Sequence, residues 1–240
     1  MSRRRIVVIP TYNECENIGE MLDAVMHLPM EIEVLVVDDN SPDGTAQIVE
    51  AKQKENSGRI HLLQRPGKEG LGRAYVAGFM WCLAQEYDDI AEMDADFSHN
   101  PNDLPLLFEA LDQGAGLAIG SRYKTGVNVV NWDIKRVIMS YYASRYVRFI
   151  TGLPVHDATA GFVAYTKETL QKIDLGNIKF KGYAFQIEMK YKAWKKDCNL
   201  VEVPIIFTDR RRGQSKMSMG IFKEAFWGVI ELRIASIFKK

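Results

Sequence analysis

Residues 5–123 alternate short apolar runs with stretches of helical spacing, and no other feature narrows the fold as much. "RIVVI" (5–9), "EVLVVDD" (33–39), "RIHLLQ" (59–64), "DIAEMD" (89–94) and "GLAIGSRY" (116–123) are short apolar runs, each read as a strand. Between the first two, Ile18, Met21, Leu22, Val25 and Met26 recur at helical spacing. Further helices are expected from "SPDGTAQIVEAKQK", over 70–86 and in "NDLPLLFEALDQ". This β-α repetition predicts a mostly parallel, doubly wound α/β sheet with helices on both faces. Such sheets bind ligands beyond the carboxyl ends of their strands. Pro10-Thr11-Tyr12, Asp38-Asp39 and Asp94-Ala95-Asp96 all fall at such ends, so three strands deliver polar groups to one edge.

The second half is less regular, with a helix expected over 132–151, a strand over 161–166, a helix over 183–196 and a strand over 199–208 interrupted by Pro204. The sequence has no repeat, low-complexity tract or clear linker. One catalytic-type domain over 1–218 is expected, followed by a helix over 219–240. That last segment carries Phe222, Phe226, Trp227, Ile230, Ile234 and Phe238, broken by Lys223, Glu224, Glu231 and Arg233. Its charges argue against crossing a bilayer and leave two readings, an amphipathic membrane-interfacial helix or a helix packed on the domain.

The 240 residues are 47% hydrophobic, enough for a sizeable core. Lys+Arg and Asp+Glu both total 31, so no global positive field favours nucleic acid. Cys15, Cys82 and Cys198 form neither a zinc pattern nor a disulfide framework, which suits a reducing compartment. The start "MSRRRIVVIP" has only four apolar residues before Pro10, too few for a signal peptide.

Two acids at i and i+2 after a strand repel each other unless a cation or water lies between them. Asp94-Ala95-Asp96 is therefore either half of a divalent-cation site, shared with substrate phosphates, or a solvated turn. Each other polar candidate also has two readings. Tyr12 is a stacking residue or a packed aromatic, and Glu14 a pocket residue or a helix N-terminal charge. Asp38-Asp39 is a second acidic pair or turn chemistry with an N-cap. The amides of "GLG" (70–72) meet an anion or merely start a helix. Arg136 faces a ligand or pairs with Asp133, and Arg210–Arg212 form a flexible loop or a solvated face. His99 and His156 are not expected to ligate metal, and Asp157 is kept as a lining residue.

Taken together, "VVIPTYNECENI", "VLVVDDNSPDGTAQIV", "GKEGLGRAYVAGF", "MDADFSHNP", "GSRY", "DATAGF" and "RRRGQSKMS" occur in this order across residues 7–219. That series resembles the family 2 glycosyltransferases of the GT-A (Rossmann-like) fold, and within them the polyprenol-phosphate (dolichol-phosphate) mannose synthases. The resemblance implies that Pro10, Tyr12 and Glu14 line a nucleotide pocket and that Val37 and Asp39 contact base and ribose. Asp94, Ala95 and Asp96 match the place where metal (Mg2+ or Mn2+) and sugar-nucleotide diphosphate meet. Arg122 would face phosphate, Arg136 and Ser140 would hold the acceptor phosphate, and Arg210 and Lys216 would close over the donor. Some relatives carry a glutamine two residues after the second Asp, where this chain has Ser98, a weaker third ligand.

The activity so implied is inverting transfer of mannose from GDP-mannose to a polyprenyl phosphate on the cytoplasmic face of a membrane. Sugar and lipid come from the resemblance alone. Peripheral binding and a membrane-embedded partner subunit are both left open, since several relatives append transmembrane helices here. Transfer of another hexose, such as glucose from UDP-glucose, is the nearest alternative. A sugar-phosphate nucleotidyltransferase is a more distant one, expected to show a Gly-rich basic signature where this chain has "PTYNE".

Overall fold

The computed structural model describes residues 3–182, 184–209 and 219–238, with backbone only at 219–225 and 237–238. The first half follows the expected alternation: β1 (Arg5–Thr11), α1 (Ile18–Met26), β2 (Glu33–Asp38), α2 (Thr45–Glu55), β3 (Ile60–Gln64), α3 (Leu71–Ala84), β4 (Asp89–Glu92), α4 (Leu104–Asp112) and β5 (Leu117–Ser121). Then come β6 (Val129–Val130), α5 (Ile134–Thr151), β7 (Val163–Thr166), α6 (Lys167–Lys172), α7 (Ala184–Lys195), β8 (Leu200–Pro204), β9 (Phe207–Thr208) and α8 (Met219–Phe238).

Seven strands form one sheet in the order β3-β2-β1-β4-β7-β5-β8. Neighbours are parallel except at β7, which runs antiparallel to both β4 and β5. Strand order reverses between β1 and β4: the chain first winds through β2 and β3, then returns to pair β4 on the other side of β1. The crevice beyond β1 and β4 is thus a topological switch point, where α/β sheets take ligands. The expected single strand over 199–208 divides. Pro204 ends β8, and β9 leaves to pair with β6 in a separate two-stranded ribbon.

Strand periodicity divides the core between the two faces of the sheet. Ile6, Val8, Leu35 and Val37 pack with α3 and α7 on one face, while Val7, Ile9, Val34 and Val36 pack with α1 and α4 on the other. All eight side chains are fully buried, each contributing about 1.5–3 kcal/mol of transfer free energy. Burial on both faces explains why these strands read as continuous apolar runs.

Helix α3 lies close to the sheet because position 78 is glycine. A methyl there would stand 2.5 Å from Val8 Cγ1 and 3.2 Å from Val37 Cγ2, and both valines are rotamer-restricted and fully buried. Gly78→Ala is expected to lose about 1–2 kcal/mol net, overpacking outweighing the gain in helix propensity. Thermal denaturation should show a drop of roughly 2–8 °C.

Helix α8 packs on α5 and α7. Phe226 stacks on Tyr146 at 4.9 Å, and the Tyr146 hydroxyl donates to the Phe226 carbonyl at 3.0 Å. Tyr191 donates to Ser236 at 2.6 Å. The helix departs from the expected amphipathic pattern, because its apolar residues do not gather on one stripe. Val229 enters the core, whereas Phe226, Trp227 and Ile234 are about half exposed or more, at 48%, 67% and 50%. Among the described residues no helix is long and apolar enough to cross a membrane.

Candidate active site

The loops beyond β1 and β2 are tied together before any ligand arrives. Asp38 accepts from the Thr11 hydroxyl at 2.8 Å, the Ser41 hydroxyl at 2.6 Å and the Ser41 amide at 2.9 Å. The amides of Asn13, Glu14 and Cys15 donate to Ser41, Thr45 and Asp43 at 3.0, 3.0 and 3.1 Å. Asp38 is 1% exposed, so it closes a turn rather than joining Asp39 as an acidic pair. Nor does it cap α2, whose N-cap is Gly44.

Asp39 faces the other way and pairs with Arg65 at 2.6 Å. Burial pushes its carboxyl up, against the lowering charge and hydrogen bond of Arg65. Tyr12 is half-buried, with the Lys68 ammonium 4.4 Å from its ring centroid. Pro10 is also half-buried, and the Glu14 carboxylate accepts from the Asn17 side chain at 3.0 Å. The Val37 side chain is fully buried under α3, which leaves only its main chain for any ligand contact. At the start of α3 the Gly72 amide donates to the Lys181 carbonyl at 2.9 Å. That amide is therefore committed within the fold and does not face an anion.

Strand β4 ends at Glu92, and Met93 still donates its amide to Val8 at 3.1 Å before the chain turns. The turn carries Asp94, Ala95 and Asp96, with Phe97 in the left-handed region at φ 59°. Asp94 accepts from the Tyr75 hydroxyl at 3.2 Å, and its own amide donates to His99 Nδ1 at 3.2 Å. Asp96 accepts from the Ser98 amide at 3.1 Å.

Both partners of Asp94 are neutral for the same reason. Burial pushes the Tyr75 phenol well above its ordinary value and the His99 imidazole down to about 4. His99 thus braces the turn with an unprotonated Nδ1, stacked on Phe162 at 5.0 Å. Among the described residues no three His, Cys, Asp or Glu side chains cluster as a complete metal cage. Two carboxylates on one turn beside the buried Ser98 fit a different case. That case is a hard divalent cation that keeps water and shares substrate phosphate oxygens.

On the far side of the sheet centre, Arg122 follows β5. Its amide and Nε donate to Asp157 Oδ2 at 3.0 and 2.7 Å, and its terminal nitrogen to Asp157 Oδ1 at 2.6 Å and Thr159 at 2.8 Å. Burial pushes the Asp157 carboxyl up, but the charge and hydrogen bonds of Arg122 outweigh it and hold the group below its usual range. Trp132 lies 5.6 Å from the Arg122 guanidinium and 4.0 Å from that of Arg136. Arg136 pairs with Asp209 at 2.8 Å, while Asp133 caps α5 by accepting from Lys135 at 2.8 Å. The local Arg136–Asp133 pairing open to the sequence therefore does not form. Ser140, one turn after Arg136 on α5, is half-buried. Arg210 and Lys216 lie outside the described residues.

Several supporting groups were not foreseen. Glu202 accepts from Ser121, from the His156 amide and ring and from the Asp157 amide, at 2.8, 2.9, 2.7 and 2.9 Å. The fully buried Lys190 donates to the Ala160 carbonyl at 2.7 Å. Together they hold the loop that presents Asp157. Burial pushes Lys190 down to about 8 and the neighbouring Glu92 up to about 8, each countered by the other's charge. The available signal was positional: Glu92 interrupts an apolar strand, and Lys190 shares a helix face with Ile187, Ala193 and Trp194.

A model of the family described as glycosyl transferase family 2 matches residues 6–174. A polyprenol monophosphomannose synthase of Mycolicibacterium smegmatis is 46% identical over 233 residues, covering 95% of this chain and 88% of that protein. An undecaprenyl-phosphate mannosyltransferase of Micrococcus luteus is 45% identical over 233 residues, covering 97% and 95%. A solved structure of glucosyl-3-phosphoglycerate synthase from Mycobacterium tuberculosis with Mn2+, uridine diphosphate and glucosyl-3-phosphoglycerate superposes with a TM-score of 0.71. It is 18% identical, covering 97% of this chain and 80% of that one. The same synthase with Mg2+ and uridine diphosphate gives a TM-score of 0.68 at 17% identity, covering 98% and 79%. At these identities the structural likeness speaks for the fold.

Proposed function

The chain belongs to glycosyl transferase family 2, and from that membership we propose that it transfers mannose from GDP-mannose to a polyprenyl phosphate, inverting the anomeric centre. The names of the two relatives support mannose and a polyprenyl phosphate acceptor. GDP as the carrier and inversion rest on the resemblance. The observation that carries the reading is that two opposed features leave the same edge of the sheet, with only β7 between their strands. An acidic turn, Asp94–Asp96, leaves β4, and an arginine clamped by Asp157 leaves β5.

Asp94 and Asp96, with Ser98 nearby, would hold Mg2+ or Mn2+, ions present in the solved neighbours. Such an ion offsets the charge that grows on a departing diphosphate. Tyr12 would stack on the nucleotide base, which requires the Lys68 ammonium to share or leave that ring face. Pro10, Glu14 and the Val37 main chain would border the base, and Asp39 would exchange part of its pairing with Arg65 for ribose hydroxyls. Arg210 and Lys216 would close over the diphosphate. Arg122, Arg136 and Ser140 would orient the acceptor. A phosphate monoester has a second pKa of about 6 and is already anionic near neutral pH, so a general base is dispensable and positioning dominates. His99 is no candidate base, since its Nδ1 is committed to the Asp94 amide.

The protein is further proposed to act peripherally on the cytoplasmic face of a membrane, alone or beside a membrane-embedded partner. The exposed Phe226, Trp227 and Ile234 of α8 support contact with a membrane interface. The three free thiols suit a reducing compartment. Incubation of the purified protein with radiolabelled GDP-mannose or UDP-glucose, a short polyprenyl phosphate and Mg2+ or Mn2+ tests the reading. Organic-soluble label is expected with GDP-mannose. Label with UDP-glucose alone would overturn the mannose assignment, and label with neither donor would reject the transfer.

A further inference from the structure

The last two turns of α5 and the segment after them border a cavity of about 530 Å3, walled by Arg145, Arg148 and His156 beside Tyr123, Tyr141 and Phe149. Gly152 makes this wall possible. It ends α5 in the left-handed region at φ 76°, where a side chain would be strained. The chain then reverses with Leu153 and Val155 turned into the core and Pro154 and His156 turned outward.

The charge balance of the wall is one-sided. Glu202 already holds the His156 ring at 2.7 Å and is itself only 4% exposed. Among the described residues neither Arg145 nor Arg148 forms an ion pair with an acid. The Tyr123 hydroxyl, close to Ser140, is buried without a partner of good hydrogen-bond geometry among the described residues. Phe149 stands at the rim, 87% exposed, the most exposed large apolar side chain among the described residues. Tyr142 of the same helix is 61% exposed.

Two unneutralised arginines beside an apolar rim match an amphiphilic anion better than a soluble one. A site for a free anion gains nothing from an aromatic ring held in water, whereas a bilayer surface supplies both phosphate and hydrocarbon. We propose that this groove binds the phosphodiester headgroup of an anionic phospholipid, with Arg145 and Arg148 on the phosphate and Phe149 entering the acyl boundary. Its two arginines are distinct from the acceptor residues, Arg145 and Arg148 lying about 8 and 12 Å along the α5 axis from Ser140, while Tyr123 borders both regions. It deepens, and rests on, the reading that the chain works at a membrane surface. Its effect is to fix the orientation of α5, and so of Arg136 and Ser140, relative to the bilayer.

The test is co-sedimentation of the full-length protein with vesicles of phosphatidylcholine alone or with one-third phosphatidylglycerol. Arg145→Gln/Arg148→Gln and Phe149→Ser are compared with the native chain. The double variant is expected to lose about 30-fold in partition onto the anionic vesicles at low salt. Phe149→Ser should weaken binding to both compositions. Transfer to a short, water-soluble polyprenyl phosphate without vesicles should stay within twofold. Unchanged partition of the double variant overturns the proposal. So does loss of transfer in solution, which would move the arginines to the acceptor site, and so does displacement from vesicles by millimolar glycerol phosphate, which would mark a free-anion site. Arginine-dependent vesicle binding by a native protein that transfers no sugar would support this site while rejecting the transferase reading.

Discussion

Asp94→Asn combined with Asp96→Asn should lower turnover by about a thousandfold or more while leaving the thermal midpoint close to native. The two acids do two things, and asparagine separates them. As acceptors they hold the turn, Asp94 from the Tyr75 hydroxyl and Asp96 from the Ser98 amide. An asparagine oxygen can accept both bonds. As charges they would seat a divalent ion against a diphosphate, and asparagine removes that. Loss of one preorganised electrostatic contact to a developing charge typically costs 10²–10³ in rate. Losing both should be at least that severe, though less than the product, because the two act as a unit. Alanine at both positions should match the asparagine pair in turnover yet lose additional stability. Tyr75 is fully buried, and stranding its hydroxyl costs about 1–3 kcal/mol. Titration calorimetry with Mn2+ and the sugar nucleotide supplies the second readout: divalent-dependent affinity should vanish in both variants. Turnover within tenfold of native in the asparagine pair would sink the assigned role of the turn.

The same residues show which parts of the molecule could be read in advance. Strands β1, β2 and β5 are buried on both faces, so their apolar runs announce them, and helices between parallel strands are a necessity of the crossover. Asp94 and Asp96 were legible because two acids one residue apart close an apolar run, where they repel unless a cation or water lies between them. Strand direction is another matter. Nothing in "GFVAYT" marks β7 as antiparallel, since an inward-outward pattern reads the same both ways. Pairings across long separations were equally hidden. Arg122 and Asp157 are 35 positions apart, and Arg136 passes over the nearby Asp133 for Asp209, 73 positions away. Asp133 was unavailable because a helix N-terminus needs its oxygen. Val37 illustrates the opposite limit. A motif places it by the nucleotide, but Gly78 brings α3 down onto its side chain, so any contact is left to the backbone.

The Arg122–Asp157 pair is where stability and activity can be separated. Asp157→Ala should lower the thermal midpoint by roughly 6–20 °C and turnover by about a hundredfold. The pair is closed on every side: Asp157 is fully buried, Arg122 is 8% exposed, and three hydrogen bonds of 3.0 Å or less join them. Removing one partner of such a pair leaves an uncompensated buried charge, at a cost of about 3–5 kcal/mol, and each kcal/mol moves the midpoint of a domain this size by roughly 2–4 °C. The rate follows from position. An arginine released from its clamp no longer points one way, and a displacement near 1 Å can cost about a hundredfold. Arg122→Met with Asp157→Leu should then regain much of the lost stability, since apolar replacement of a whole buried pair is often neutral. Its turnover should remain at the level of the single variant or below. Acid provides an independent check on the sign. The folded carboxyl of Asp157 lies below its usual range, so the pair stabilises fully above the ordinary aspartate value of about 3.9. That contribution fades as pH falls through the lower folded value. The double replacement should therefore show a shallower loss of stability below about pH 4 than the native chain. Full recovery of turnover in that variant would show that the guanidinium has no part in transfer and serves only to close the loop.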